Sequence, residues 1–282
     1  MMGMDIDKIM TQMRERLQCN GLDIQALREY LKDCPWHLHM FTELDSTNTF
    51  LKKIAQGGAP AGSVVVCDRQ SAGRGRLGRT FLSPGGVGVY LSALIRPNCA
   101  PRSLMHLTCA VAVAMCDAVE KSVRFRPGIK WTNDLVYQGR KLSGILTELG
   151  ISPQGLVDYA VIGVGLNCCQ KASDFPEEIR NMAGSLAMIS GTEVDRNRVT
   201  AAMIEALWRM DLSDKAAIMD RYRADCITLG SDVSLVKADG TVRYGHALDI
   251  DAEGALIVRL RDGSLETVNS GEVSVRGMYG YA

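Results

Sequence analysis

The residues best suited to chemistry lie in one arginine- and glycine-rich stretch, SAGRGRLGRTF, at residues 71–81. Three arginines and three glycines fall between positions 73 and 79. Glycines let backbone N–H groups approach a ligand closely, and guanidinium groups add donors that are always ionised. That combination suits phosphate. The stretch is neither a Walker loop nor the dinucleotide fingerprint. Taken alone, it leaves a phosphate site, a nucleic-acid contact and a solvated loop open.

Four further stretches pair polar residues or glycines with predicted secondary structure: LDSTN (44–48), KWTNDL (130–135), RKLSGIL (140–146) and GVGLN (163–167). Each has a purely structural explanation: a helix cap, a β-bulge, a charge at a strand edge and a tightly packed strand crossing. Glycines inside strands also indicate close approach of a ligand or another backbone. Each stretch singly is therefore inconclusive.

Charge and composition exclude several classes of protein. The 282 residues balance 32 Lys and Arg against 32 Asp and Glu, whereas a general nucleic-acid binder is usually more basic. The nine cysteines include no C-x-x-C and indicate neither a disulfide framework nor a zinc site. The N-terminus does not resemble a signal peptide, and the most apolar run, residues 106–119, is too short to cross a bilayer. We expect a cytoplasmic protein that does not enter membranes.

The elements that must position these residues alternate between strands and helices. We predict strands over residues 63–70, 87–97, 129–137, 141–149 and 159–168, with a turn at Gln138-Gly139. A long helix is predicted over 102–122, and further helices over 196–210 and 215–222. Asp45 or Ser46 is expected to cap a helix near Asn48. Several strands follow one another without helices, which indicates an α+β fold with a mixed or antiparallel sheet.

The two ends of the chain differ from this middle. Residues 5–18 and a segment capped by Asp23 are predicted to form two short helices. After residue 229 the pattern alternates with period two, punctuated by Asp239-Gly240, Glu253-Gly254 and Asp262-Gly263, which favours hairpins of a small SH3-like β-barrel. We therefore predict an N-terminal extension (1–37), a catalytic domain (38–228) and a C-terminal barrel (229–282).

In their order, LDSTN, Q-x-x-GRGRxGR, KWxNDL, KLxGIL-x-E and GVGLN resemble the motif series of the biotin protein ligases, also called biotin–[acetyl-CoA carboxylase] ligases. The resemblance is strong over residues 41–167 and weaker at the closing SGEVSVRG. It implies a class II synthetase-like mixed sheet followed by an SH3-like barrel. It also implies two substrates, biotin and ATP, with Mg²⁺, and a biotin carboxyl carrier protein as acceptor.

The resemblance carries roles onto individual residues. It implies catalytic roles for Lys141, Arg76, Asp134 and Asn133. The implied biotin site comprises Ser46, Thr47, Asn48, Gln70, Gly73, Arg74, Gly75, Arg76, Lys141, Gly144, Gly163 and Gly165. The implied ATP and adenylate site comprises Arg76, Arg79, Phe81, Lys130, Asn133, Lys141, Asn167 and Arg276. No metal ligand is implied.

Two positions depart from the family pattern. The family often has tryptophan, which covers adenine, where Phe81 stands; phenylalanine stacks with less area. It usually has proline where Thr132 stands, so proline's rigidity is lost beside Asn133.

The implied reaction has two half-steps. The biotin carboxylate first attacks the α-phosphorus of ATP, giving biotinyl-5′-AMP and pyrophosphate. A carrier lysine then attacks the mixed anhydride, giving an amide and AMP. Two anions meet in the first step, so Lys141, Arg74, Arg76 and Mg²⁺ would supply positive charge. Asp134 would orient or deprotonate the amine.

Three other functions stay open from the sequence. A lipoate or octanoate ligase shares the fold but needs an apolar tunnel and a different arginine–glycine pattern. A biotin-responsive repressor needs a DNA-binding domain, and about forty residues before LDSTN show no clear recognition helix, so DNA binding is not expected. A non-catalytic biotin-binding module does not need Lys141, Asn133 and Asp134.

Overall fold

The computed structural model describes residues 21–237 and 239–269 and the backbone of one further strand. The helices are α1 Ile24–Tyr30, α2 Thr47–Gln56, α3 Leu107–Val123, α4 Leu186–Ser190, α5 Arg196–Trp208 and α6 Lys215–Asp225. The strands are β1 His37–Leu44, β2 Ser63–Gln70, β3 Gly88–Ile95, β4 Gly128–Lys130, β5 Asp134–Tyr137, β6 Arg140–Ile151, β7 Val157–Asn167, β8 Asp232–Lys237, β9 Val242–Ile250, β10 Leu256–Leu260, β11 Leu265–Val268 and β12 Val273–Gly277.

Seven strands form the central sheet in the order β1-β2-β3-β7-β6-β5-β4. Strand β1 runs parallel to β2, and the other neighbours are antiparallel, which confirms the predicted mixed sheet. Alternate residues of β2 enter two different cores. Val64 and Val66 pack with α3 and α5, and Val65 and Cys67 pack with α2. Both faces of the sheet are covered at β2, which accounts for the continuous apolar run at residues 64–67.

The single strand predicted over residues 129–137 is wrong. Strand β4 ends at Lys130 and β5 begins at Asp134, and these two residues pair across an antiparallel hairpin. Residues 131–133 form the turn, and the Trp131–Thr132 peptide bond is cis. Trp131 and Thr132 are both buried. A buried turn carries an aromatic and a β-branched residue here, and these residue types are typical of strands.

The predicted long helix and the expected caps are present. Helix α3 follows a 3-10 turn, Pro101–Leu104, and packs against α5 and α6. The segment Pro101–Val123 is long and apolar enough to span a membrane, but 72% of its most apolar window is buried in the protein, as in a core helix. Ser46 caps α2 and Asp23 caps α1. The helix predicted at residues 5–18 lies outside the described residues.

The C-terminal strands form a separate antiparallel sheet in the order β11-β10-β9-β8-β12. The predicted hairpins are confirmed, because β8 and β9, β9 and β10, and β10 and β11 pair antiparallel. Gly240, Gly254 and Gly263 take the positive φ that their turns require. The β9–β10 turn contacts the β4–β5 turn, because the buried Trp131 Nε1 donates to the Gly254 carbonyl at 2.9 Å. The small sheet therefore braces a residue of the β4–β5 turn. The division at residues 37 and 228 stays a prediction.

Candidate active site

A cavity of about 540 Å³ opens between the start of α2, residues 74–81, β6 and β7. That volume lies within the range of small-molecule sites. Sixteen of the residues implied by the family motifs line it: Ser46, Thr47, Asn48, Gln70, Arg74, Gly75, Arg76, Arg79, Phe81, Lys130, Asn133, Asp134, Lys141, Gly144, Gly163 and Gly165.

The arginine-rich stretch folds into a short hairpin over residues 73–81, here called the arginine hairpin. Its base is closed by Phe81 N donating to Gly73 O, and its upper part by Gly75 N donating to Arg79 O at 2.7 Å. Leu77 and Gly78 take positive φ at the tip. At the base, a Cβ on Gly73 would lie 2.3 Å from the Phe81 carbonyl oxygen. Gly73 therefore allows the two arms to meet and does not itself line the cavity.

One end of the cavity, the neutral half, is formed by Ser46, Thr47, Asn48 and Gln70. The Gln70 Oε1 accepts from the Thr47 backbone N at 2.9 Å and from the Thr47 hydroxyl at 3.2 Å. The buried Ser92 hydroxyl lies 2.8 Å from Thr47 Oγ1 and 2.6 Å from Asn48 Oδ1. These contacts fix uncharged donors and acceptors on the start of α2.

Three glycines in β6 and β7 make room for side chains of the site. A Cβ on Gly163 would lie 2.1 Å from Asn48 Oδ1, so Asn48 occupies that space. Gly144 and Gly165 pair across the two strands. A Cβ on Gly165 would lie 2.4 Å from the Phe81 ring, which therefore rests on this glycine platform. The ring is also edge-on to Tyr90, with centroids 6.4 Å apart.

The other end, the charged half, is formed by Arg76, Arg79, Lys130, Asn133, Asp134 and Lys141. Lys141 Nζ lies 2.7 Å from Asp134 Oδ1. Asn133 donates to the same carboxylate oxygen at 3.1 Å and accepts from Arg76 Nη1 at 2.8 Å. Burial lowers the pKa of Arg76, and nearby Asp134 opposes this shift. An arginine with a lowered pKa still carries its charge at neutral pH, so a cation from the hairpin points at the Lys141 side of the cavity.

Asn133 is held firmly although Thr132 replaces the family's proline. Its side-chain amide also donates to the Ile145 carbonyl at 3.0 Å, and its own carbonyl accepts from Ile145 N. The Thr132 carbonyl accepts from the buried Tyr222 hydroxyl at 3.0 Å. Strand β6 and helix α6 thus fix the turn from both sides.

Asn167 is not among the described residues that line the cavity. The buried Asn167 amide donates to the Gly184 carbonyl at 3.0 Å, and Gly184 N in turn donates to the Lys141 carbonyl. Asn167 therefore supports the segment that pairs with Lys141, and a contact with the adenylate stays a prediction. The backbone of Arg276 pairs with Ser234 in the C-terminal sheet, and its side chain lies outside the described residues.

Sequence reasoning assigned no role to several residues near the site. Leu77, Trp131 and Met182 line the cavity, and Glu148 bonds Asn48 and Arg74 just outside it. Glu148 is the glutamate of the KLxGIL-x-E motif, so the sequence marked this residue but did not predict its hydrogen-bond partners. Met182 comes from a loop whose carbonyl accepts from Lys141 N, a contact that no local pattern predicts.

The described residues form no group of three or more His, Cys, Asp or Glu that could hold a metal ion. Asp134 is the carboxylate among the cavity-lining residues, and it is bonded to Lys141. Mg²⁺ commonly binds through one or two carboxylates plus substrate phosphates. The residues here therefore do not form a dedicated metal cage.

A mixed sheet carrying this cavity and followed by a small antiparallel sheet defines the class of protein. Residues 40–167 match the Biotin/lipoate A/B protein ligase family, and residues 228–276 match the Biotin protein ligase C terminal domain. With these matches and the relatives below, the chain belongs to the biotin protein ligase family.

The chain is similar to curated proteins over most of its length. It is 32% identical to the biotin--[acetyl-CoA-carboxylase] ligase of Mycobacterium tuberculosis (strain ATCC 25618 / H37Rv) over 92% of this chain and 97% of that protein. It is 33% identical to the bifunctional ligase/repressor BirA of Bacillus subtilis (strain 168), over 80% and 70% respectively. Among solved structures, the biotin protein ligase from Aquifex aeolicus in complex with biotin and ATP is 29% identical, with a TM-score of 0.72 over 86% of this chain and 99% of that one.

Proposed function

We propose that this enzyme attaches biotin to a lysine of an acceptor protein, using ATP and a biotinyl-5′-AMP intermediate. The observation that carries the proposal is the division of one cavity into a neutral half and a charged half. The ureido group of biotin is uncharged and is recognised by neutral hydrogen bonds. The carboxylate and the triphosphate are anions and need cations. The related Aquifex enzyme is described in complex with both molecules.

The first half-step brings the biotin carboxylate against the α-phosphorus of ATP. The carboxylate is already ionised, so no general base is required. Lys141 and Arg76 supply the positive charge that lowers repulsion between the two anions, and removing one such donor typically costs about 10²–10³ in rate. Asp134 holds Lys141 Nζ at 2.7 Å and so keeps this amine directed.

The second half-step requires that the anhydride survive until an acceptor amine arrives. The arginine hairpin covers the cavity beside the Phe81 ring, and exclusion of water by such a cover protects a reactive intermediate. Asp134 is the carboxylate nearest to Lys141 and is the residue we assign to orienting or deprotonating the incoming amine. The acceptor we assign is a biotin carboxyl carrier protein, in the cytoplasm.

Mg²⁺ remains part of the proposal only as an ion that arrives with the nucleotide. When bound to the phosphates it would neutralise part of their charge. Among the described residues, no group of three or more His, Cys, Asp or Glu could hold this ion.

One experiment separates this function from its closest rival. Labelled biotin or labelled lipoate is incubated with the enzyme and a biotin carboxyl carrier domain, with and without ATP. Transfer of biotin that depends on ATP supports the proposal. Transfer of lipoate in preference to biotin would replace it with a lipoate ligase. A gel shift with upstream DNA of biotin genes, run in parallel, tests the repressor alternative that relatives such as the Bacillus subtilis protein represent.

A further inference from the structure

Glu148 on β6 lies just outside the cavity lining and accepts hydrogen bonds from three side chains. Its Oε1 accepts from Lys52 Nζ at 2.8 Å, and its Oε2 accepts from Asn48 Nδ2 at 2.9 Å. Arg74 Nη1 lies 3.1 Å from both oxygens. The side chain is 17% exposed. Burial opposes its ionisation, but the bonds from Lys52 and Asn48 and the charge of Arg74 prevail and lower its pKa. Glu148 is therefore an anion held between three donors.

These partners belong to two parts of the site that are otherwise separate. Asn48 is a residue of the neutral half, and it reaches Gln70 through Ser92 and Thr47. Arg74 is the first arginine of the arginine hairpin. A continuous run of hydrogen bonds thus leads from Gln70, across the floor of the biotin end, to the hairpin. Glu148 is the member of that run that crosses to the hairpin.

Two of the three hairpin arginines accordingly point to different partners. Arg74 pairs with Glu148, whereas Arg76 donates to Asn133 beside Asp134 and Lys141. The carboxylate that Arg74 meets lies outside the cavity lining, whereas Asn133 and Asp134 beside Arg76 line the cavity. Arg76 is therefore placed for the reacting anions, and Arg74 is placed to hold the hairpin against the body of the enzyme.

We propose that Glu148 is a positioning residue that latches the arginine hairpin closed over the intermediate through Arg74, and that Asn48 links this latch to occupancy of the biotin end. The inference rests on the proposed function, since the hairpin has an intermediate to retain only if the enzyme makes biotinyl-5′-AMP. A latch acts on retention of the intermediate and on protection of the hairpin, and not on the chemical step, which Lys141 and Arg76 serve.

The test compares wild type with Glu148→Gln, Arg74→Gln and the double variant. Enzyme-bound biotinyl-5′-AMP is formed from biotin and radiolabelled ATP, and its loss is followed after dilution without acceptor. Because a charge-assisted hydrogen bond is removed, each single variant should lose the intermediate about tenfold faster. The double variant should lose it no faster than the singles, since both changes break one pair. For Glu148→Gln, whose carboxylate lies outside the cavity lining, the initial rate of adenylate formation at saturating substrates should change by less than about threefold.

Trypsin cleavage at the arginine hairpin supplies an independent readout. Biotin with ATP should slow cleavage in wild type and should slow it much less in Glu148→Gln. Glu43→Gln is the matched control, because it removes another strand carboxylate that pairs with an arginine, Arg69, on the exposed surface. That control should retain the intermediate as wild type does. If Glu148→Gln does not fold, Arg74→Gln alone, whose arginine is 43% exposed, carries the same expectation.

The outcomes separate the latch from the function beneath it. Wild type that forms no biotinyl-5′-AMP would overturn the proposed function. Wild type that retains the intermediate, with variants that retain it equally well, would overturn the latch alone. Effects of Glu148→Gln and Arg74→Gln that multiply in the double variant would also overturn it, because they would show that Arg74 acts on the ligand independently.

Discussion

The two halves of the cavity solve different problems with different residues. The neutral half holds hydroxyl and amide groups on the capped start of α2, which are fixed by other neutral groups and, at Asn48, also by the Glu148 carboxylate. The charged half holds cations whose directions are set by Asp134 and Asn133. A recognition site for an uncharged ring needs matched hydrogen bonds, whereas a site where two anions react needs charge that is already in place. Gly144 and Gly165, which form the glycine platform, line the same cavity as the residues of the neutral half and the charged half.

The largest effect is expected in the charged half, from Lys141→Ala. Removing this cation should lower biotin-dependent ATP–pyrophosphate exchange by about 10²–10³, while the melting temperature stays near that of wild type because Lys141 is partly exposed. Lys121→Ala, which removes a lysine paired with Glu205 on the protein surface, is the control and should exchange normally. Unchanged exchange in Lys141→Ala would remove Lys141 from the mechanism.

A smaller effect, confined to the neutral half, is expected from Gly163→Ala. The added methyl group would meet Asn48 Oδ1 at 2.1 Å and displace that side chain. Loss of a neutral hydrogen bond or two should raise the KM for biotin about tenfold, with the KM for ATP much less affected. Gly150→Ala is the matched control, because its methyl group would meet the Tyr159 ring at 2.2 Å away from the cavity. If both variants raise the biotin KM equally, the effect is general destabilisation.

A third, intermediate effect is expected from changes to Phe81, whose ring rests on the glycine platform. An indole ring offers more stacking area than phenyl, so Phe81→Trp should lower the KM for ATP by about threefold. Phe81→Ala should raise it. Steady-state kinetics at saturating biotin measure both, and an unchanged KM for ATP in both variants would mean that this ring does not contact the nucleotide.

The smallest effect concerns stability and pH at Glu148. Its pKa is lower folded than unfolded, so its ionised form stabilises the fold above the ordinary value of 4.5, and this stability is lost as pH falls through the lowered pKa. Glu148→Gln should therefore reduce the free energy of unfolding by about 1 kcal/mol at pH 7. Urea titrations should show the difference narrowing below pH 4.5. A difference that is constant with pH would mean that its charge is not what matters.

Much of the secondary structure was predictable because it depends on the types of neighbouring residues in the sequence. The β-branched run of β2, the Asp-Gly turns of the C-terminal sheet and the Ser46 cap were all read correctly from neighbouring residues. The motif order brought sixteen expected residues to one cavity.

What escaped prediction depends on contacts between distant segments. Glu148 bonds Asn48 only because β6 lies in register beside β7, and β7 packs against α2. The turn at residues 131–133 looks like strand because its side chains are buried under α6 and the C-terminal sheet. The roles of Asn167 and Gly73 likewise became visible only through their backbone partners.

Formation of the intermediate in the absence of any acceptor tests the central claim most directly. Enzyme is mixed with biotin and α-labelled ATP, and the bound products are separated by chromatography. The account predicts biotinyl-5′-AMP in about stoichiometric amount with the enzyme, formed with release of pyrophosphate and absent from Lys141→Ala. Hydrolysis of ATP without a biotinyl adenylate, or an adenylate that forms with lipoate and not with biotin, would contradict it.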